Sequence, residues 1–170
     1  MKRAFVIVAA VLILAGCASE PEPESSRGPE PTVVEYATEN QVASVIAEYE
    51  PKWREVIEES TECRFLWVLG GSTIAEEIHG DVCFMQEKTI GITAQLVLRD
   101  WEALNVPESL QSLVTDTSTV LREIGRGDLK TICGEASRPV ETDECNSELA
   151  GRNMLYSQLE SSLNKWSPYL

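Results

Sequence analysis

Apolar residues recur every three or four positions along four stretches of this chain, and that spacing constrains its fold more than any other feature. A period near 3.6 puts one residue set on one face of a helix, whereas a half-buried strand would alternate. The first stretch starts at Thr38, with Val42, Val45, Ile46, Tyr49, Trp53, Val56 and Ile57 on one stripe. Pro51 lies off that stripe and leaves its phase unshifted, so one helix kinked at the proline is expected rather than two. The pattern runs on through Cys63-Arg64-Phe65-Leu66-Trp67-Val68 to Gly70-Gly71; read as a strand, that cluster would have no partner nearby.

Residues 72–80 read as a capped helical turn closed by Gly80, with Ser72 and Thr73 ahead of Glu76. A long helix is then expected from Asp81 to Leu104, with Cys83, Ile90, Ala94, Val97, Leu98, Trp101 and Leu104 as its stripe. Pro107 suits the first turn of a third helix carrying Leu110, Leu113, Val114, Thr117, Leu121 and Ile124. Gly125 and Gly127 weaken it before Ile132-Cys133. The last helix starts near Thr142 or Asp143, and Pro168 stops it. Its residues Cys145, Leu149, Arg152, Tyr156, Leu159, Leu163 and Trp166 alternate steps of four and three, a seam suited to antiparallel packing. The expected fold is all-α: an up-down-up-down four-helix bundle over residues 38–170.

What precedes the bundle has a different character. Lys2 and Arg3 are followed by an apolar run from Ala4 to Ala15. That run is too short to span a membrane, which takes roughly 20 residues, but it suits a secretory signal. It ends in Leu14-Ala15-Gly16-Cys17. In these four residues the chain resembles the bacterial lipoproteins, whose signal peptides end in such a box. The resemblance implies that residues 1–16 are removed and that the Cys17 sulfur carries a diacylglyceryl group. It implies a location on the extracytoplasmic face of the cell membrane, and the membrane itself as a partner through the lipid. Two acyl chains suffice for stable anchoring at roughly 0.8 kcal/mol per buried methylene. It implies nothing about activity.

Residues 18–31 hold four of the eight prolines and four glutamates, with no aliphatic side chain larger than alanine. Such a stretch cannot bury enough surface to offset its ordering entropy, so residues 17–37 are expected as a lipidated cysteine followed by a disordered tether. Without residues 1–16 the chain would carry 12 basic against 28 acidic residues, a formal charge of −16. That balance repels nucleic acid and anionic headgroups. The later residues are apolar enough for a packed core.

With Cys17 assigned to lipid, four cysteines remain: Cys63, Cys83, Cys133 and Cys145. An even number in an exported chain reads as two disulfides. Four cysteines allow three connectivities, and the bundle selects sequential pairing. Cys63 and Cys83 flank the first helix junction; Cys133 and Cys145 flank the third. In an up-down bundle both junctions lie at the end away from the tether. A zinc site is disfavoured, because no C-x-x-C pair supplies the short ligand spacing that structural zinc uses.

Little in the chain suggests catalysis. His79 is the only histidine, and a nucleophile–histidine–acid triad would have to be built on it, in what reads as an exposed, glycine-flanked turn. No nucleophile elbow, metalloprotease helix, phosphate loop or dinucleotide fingerprint occurs. Arg126-Gly127-Asp128 spells a tripeptide read by adhesion receptors, a match short enough to arise by chance. Glu55, Glu58, Glu59 and Glu62 make an acidic helix face without calcium-loop spacing. Arg152 falls on an apolar seam; it is expected to snorkel or to pair with an acid at the rim, and is the one candidate for anchoring a ligand. Trp53, Trp67, Trp101 and Trp166 lie on or near core stripes and read as packing rather than as an aromatic box.

The domain is also similar to small four-cysteine helical lipoproteins of high-GC Gram-positive bacteria. The residues that carry this likeness are Cys63-Arg64-Phe65-Leu66-Trp67, Cys133 with Cys145, and the closing Trp166-Ser167-Pro168-Tyr169-Leu170. It implies fold and location only. The chain therefore reads as a non-enzymatic binding or structural module of the cell envelope, with an envelope protein or a small ligand as partner. The alternatives are a helical bundle that binds a small ligand and, further off, a cell-wall hydrolase. No cofactor and no metal are expected.

Overall fold

The computed structural model describes residues 34–69, 72–134 and 138–170, all within the unit Val34–Leu170. The expected signal peptide, Cys17 and residues 18–33 of the tether lie outside the described residues. Six helices follow in order: α1 Glu39–Ala47, α2 Glu50–Leu69, α3 Ile74–Glu102, α4 Glu108–Arg126, α5 Leu129–Cys133 and α6 Asp143–Trp166. The fold is all-α, as the periodicity predicts.

α2, α3, α4 and α6 form the four-helix bundle, each antiparallel to its sequence neighbour and α6 closing the ring against α2. Residue pairs give the directions. Cys63 meets Cys83 across α2 and α3, and Gln95 reaches Gly125 across α3 and α4. Thr117 and Ile124 of α4 meet Trp166 and Arg152 of α6. Arg54 of α2 bonds Asn164 of α6.

Pro51 splits the first arm into two helices where a single kinked one was expected. The break falls at Glu48 and Tyr49. Proline at 51 has no N–H to give to the carbonyl of Ala47, and its ring crowds that carbonyl. In the first turn of α2 the missing donor has no consequence. α1 closes on Thr38, whose hydroxyl and backbone N–H exchange hydrogen bonds with Gln41 in a capping box.

Gly80 does not end a turn; α3 runs through it unbroken for 29 residues. An internal glycine costs about 1 kcal/mol relative to alanine. Here the indole of Trp67 lies over it, and Trp67 Nε1 donates to the Gly80 carbonyl at 2.9 Å. α5 had no stripe to announce it. Asp128 caps it, accepting from the Thr131 N–H at 3.1 Å.

Residues 34–37, expected as the end of a free tether, are bonded to the α3–α4 connection. The Ala37 N–H donates to the Asn105 carbonyl (2.9 Å), and Asn105 Nδ2 donates to the Glu35 carbonyl (3.0 Å). The N-terminal side of the domain is thus fixed at the end of the bundle opposite the disulfides.

The main core joins α1, α2, α3, α4 and α6 through Val42, Ile46, Trp53, Ile90, Val97, Trp101, Leu121, Ile124, Leu159 and Trp166. Trp101 and Trp166 stack with ring centroids 5.4 Å apart. Each buried indole N–H has an acceptor: Thr93 Oγ1 for Trp53, the Val42 carbonyl for Trp101, and Thr117 Oγ1 for Trp166. A buried tryptophan needs such a partner, so these three serve packing. A smaller core of Phe84, Leu129, Cys133, Cys145 and Leu149 sits under the disulfide end, where the half-buried Trp67 meets Phe84 edge-on.

Candidate functional site

The bundle interior holds one polar cluster, built from three helices, and it contains the arginine the sequence offered as a ligand contact. Arg152 on α6 is not at the rim. It is 2% exposed, its guanidinium enclosed between α3, α4 and its own helix. Arg152 Nη2 donates to the carbonyls of Ile124 (3.1 Å) and Gly127 (3.0 Å), the last turn of α4 and its cap. These are carbonyls a helix C-terminus leaves without partners, and a cation there also meets the negative end of the helix dipole. Two carboxylates flank it: Glu87 Oε2 is 3.7 Å from Nη1, and Glu148 Oε1 is 3.6 Å from Nε. Neither separation is a hydrogen bond, so Nε and Nη1 are held by charge alone.

Glu87 is the functional-looking residue that the pattern concealed. It is 4% exposed on α3, and the Tyr156 hydroxyl donates a short hydrogen bond to its Oε2. Burial pushes the Glu87 carboxyl above its usual range, while the Tyr156 hydroxyl and Arg152 pull the other way. Burial, then the adjacent Glu87 charge, raises the Tyr156 phenol well above its own. Tyr156 lies four residues after Arg152, so both side chains leave α6 on the same face and converge on Glu87. One signal was available: 87 fills the gap between Cys83 and Ile90 on the α3 stripe, a core position holding a charge.

This cluster can hold a proton and can fasten α3 and α4 to α6. It has no open approach for a substrate, so Arg152 is spent on the protein itself. Gly127 makes it feasible: a Cβ there would collide with Glu148 Oε1 and lie 2.6 Å from Arg152 Nη2.

The remaining sequence candidates are dispersed. Cys63–Cys83 and Cys133–Cys145 are disulfides with Cα separations of 5.6 and 4.9 Å, the sequential pairing expected from the bundle, and both lie at one end. Their sulfurs are bonded to each other and are not metal ligands. His79 is within α3 rather than in a turn, 4.0 Å from Glu62. Arg126-Gly127-Asp128 is absorbed into the α4–α5 junction: Arg126 pairs with Glu123, Gly127 caps α4 and Asp128 caps α5. On the acidic face Glu55 pairs with Lys52 at 2.7 Å. Among the described residues no group of three or more His, Cys, Asp or Glu is placed to hold a metal ion. No described helix is long and apolar enough to cross a membrane.

The most apolar depression among the described residues is a groove of about 390 Å³ between α2 and α3, where Tyr49, Trp53 and Val56 face Ile78, Val82 and Met85. Tyr49, Trp53 and Val56 belong to the first core stripe, whereas Ile78, Val82 and Met85 lie outside that of α3. No protein-family model matches this chain, and no curated protein or solved structure matches it.

Proposed function

We propose that this chain is a bacterial lipoprotein, anchored through lipid on Cys17 to the extracytoplasmic face of the cell membrane, whose helical domain is a non-enzymatic binding or structural module of the envelope. The observation that carries the reading is the state of the cysteines. All four in the domain are consumed by two disulfides, which persist in oxidising compartments. Cys17 is then the one cysteine left for another use, and it stands at the end of Leu14-Ala15-Gly16-Cys17.

The internal chemistry agrees with a module that presents a surface. The buried charges are used to brace helices, the tryptophans are packed, and Arg152 faces carbonyls of its own chain rather than an open pocket. The apolar groove between α2 and α3 supports the second reading, a bundle that binds a small apolar ligand, with Tyr49 and Trp53 rather than Arg152 at the contact.

The experiment is fractionation of cells producing the native chain and Cys17→Ala. The native chain is expected in the membrane fraction. The variant is expected either in the medium or as a longer, uncut precursor. A Cys17→Ala protein of unchanged size and unchanged membrane association overturns the proposal.

A further inference from the structure

α3 carries two apolar faces. One is the core stripe; the other, on the opposite side of the helix, is Ile78, Val82, Met85, Thr89, Ile92 and Leu96, at steps of four, three, four, three and four. The core stripe alone is what a bundle helix needs. Ile74 precedes the outer stripe by one turn. Ile74, Ile78, Val82, Met85 and Ile92 are 48–78% exposed, a contiguous patch along a single helix. From Ile74 to Leu96 the stripe runs about 33 Å at 1.5 Å per residue. A strict four–three repeat on an exposed helix face matches another helix carrying the same repeat, and scattered surface apolars do not produce it.

We propose that this face is a self-association surface, on which a second copy of the chain lays its own α3 antiparallel. Two observations select that occupant. The first is charge. Asp81 and Lys88 flank the stripe on one side, seven residues apart. In an antiparallel pair centred between Val82 and Met85, Asp81 of each copy meets Lys88 of the other, giving two symmetric ion pairs. A parallel pair would face Asp81 with Gln86 and Lys88 with Thr93, and gains nothing. Asp81 already accepts from Arg138 Nε at 2.8 Å, and Lys88 lies over the Phe84 ring. A carboxylate accepts several hydrogen bonds at once, so Arg138 does not close Asp81 to a second cation.

The second observation is register. The charge pairing sets Val82 against Met85, Ile78 against Thr89, and Ile74 with Ala75 against Ile92 of the other copy. Every strongly exposed aliphatic of the stripe then has a partner, and the half-buried Leu96 falls outside the overlap. The groove beside the stripe, walled by Tyr49, Trp53 and Val56, takes the other copy's side chains at the centre. A two-fold contact of this kind is isologous and closes at the dimer. The patch is several hundred Å² per copy, at the small end of specific interfaces, so the dimer is concentration-dependent.

The test uses the full chain in the membranes where it is made, with a benzoylphenylalanine photo-cross-linker in place of Thr89. Irradiation is expected to give a covalent dimer, with the cross-link mapped to residues 74–82 of the other copy. Met85→Glu is expected to lower the dimer yield roughly tenfold, since it buries a carboxylate in the central layer. Asp81→Lys and Lys88→Asp are each expected to weaken it alone. Co-expressed with different tags, the two variants are expected to recover as a mixed dimer, because both ion pairs re-form between them. A cross-link to residues 85–92, to another polypeptide or to a small molecule overturns the proposal. So does the absence of a dimer, or single variants that fail to recover when mixed.

Discussion

Replacing Arg152 with methionine keeps most of the side chain's volume and removes its charge. The variant loses the bonds to the Ile124 and Gly127 carbonyls and leaves the Glu87 carboxylate buried without its cation. Removing one partner of a buried ion pair costs about 3–5 kcal/mol. For a domain of this length that is a fall in Tm of roughly 10–20 °C. The penalty depends on pH through Glu87. Burial already holds Glu87 above its usual pKa, and loss of Arg152 removes a contact that opposes that shift. Glu87 in the variant therefore binds its proton more tightly in the folded state, so the variant's stability falls as pH rises through that raised pKa. The deficit against the native chain should be largest at pH 7–8 and smaller near pH 4, where Glu87 carries its proton. Adding Glu87→Gln to the Arg152→Met background should then stabilise it at pH 7. Urea unfolding followed by far-ultraviolet circular dichroism at pH 4, 6 and 8 measures each of these. A deficit below about 1 kcal/mol, or one equal at pH 4 and 8, would refute a buried, charge-coupled cluster.

Other expectations follow from single sites. Gly80→Ala should stabilise the domain by about 0.5–1 kcal/mol, since its Cβ would lie 3.7 Å from Leu66 and Trp67, in ordinary contact; thermal melts check the sign. Gly127→Ala should destabilise it by about 1–3 kcal/mol by pushing against Arg152, in the same assay. Glu87→Gln in the native background should flatten the loss of stability as pH rises above the ordinary carboxylate range, read as the difference between the two urea curves across pH. Replacing both Cys133 and Cys145 with alanine should cost about 3 kcal/mol on the chain-entropy account of a short loop, with the Cys63–Cys83 bridge intact by peptide mapping without reduction.

Much of the bundle was legible because its core stripes are regular. Trp166, Leu163, Leu159 and Tyr156 are buried where the four–three seam puts them. The disulfide pairing was legible for the same reason: antiparallel neighbours bring together cysteines that flank a shared junction. Local exceptions were less legible, because each depends on a contact distant in sequence. Pro51 lies off the apolar stripe, so periodicity could not tell a kink from the two-residue break at Glu48 and Tyr49. Gly80 resembles a stop until Trp67 is placed over it. Residues 34–37 carry no helical stripe and leave Val34 and Tyr36 exposed, and only Asn105 shows that they belong to the domain. Arg152 was visible as an anomaly on its seam. Its role was not, because Glu87 and the α4 carbonyls come from helices whose register against α6 no local pattern states. The inner stripe of α3 accounts for a bundle helix by itself, so the outer stripe adds no signal for the fold.

Intact mass and non-reduced peptide mapping of the protein purified from the cells that make it test together whether Cys17 carries lipid and how the other four cysteines pair. The expected result is an N-terminal peptide that begins at Cys17 and carries a diacylglyceryl group. Cys63–Cys83 and Cys133–Cys145 should be the linked peptides, with no free thiol. A chain that retains residues 1–16 with an unmodified Cys17 thiol, or a crossed disulfide pairing, would contradict it.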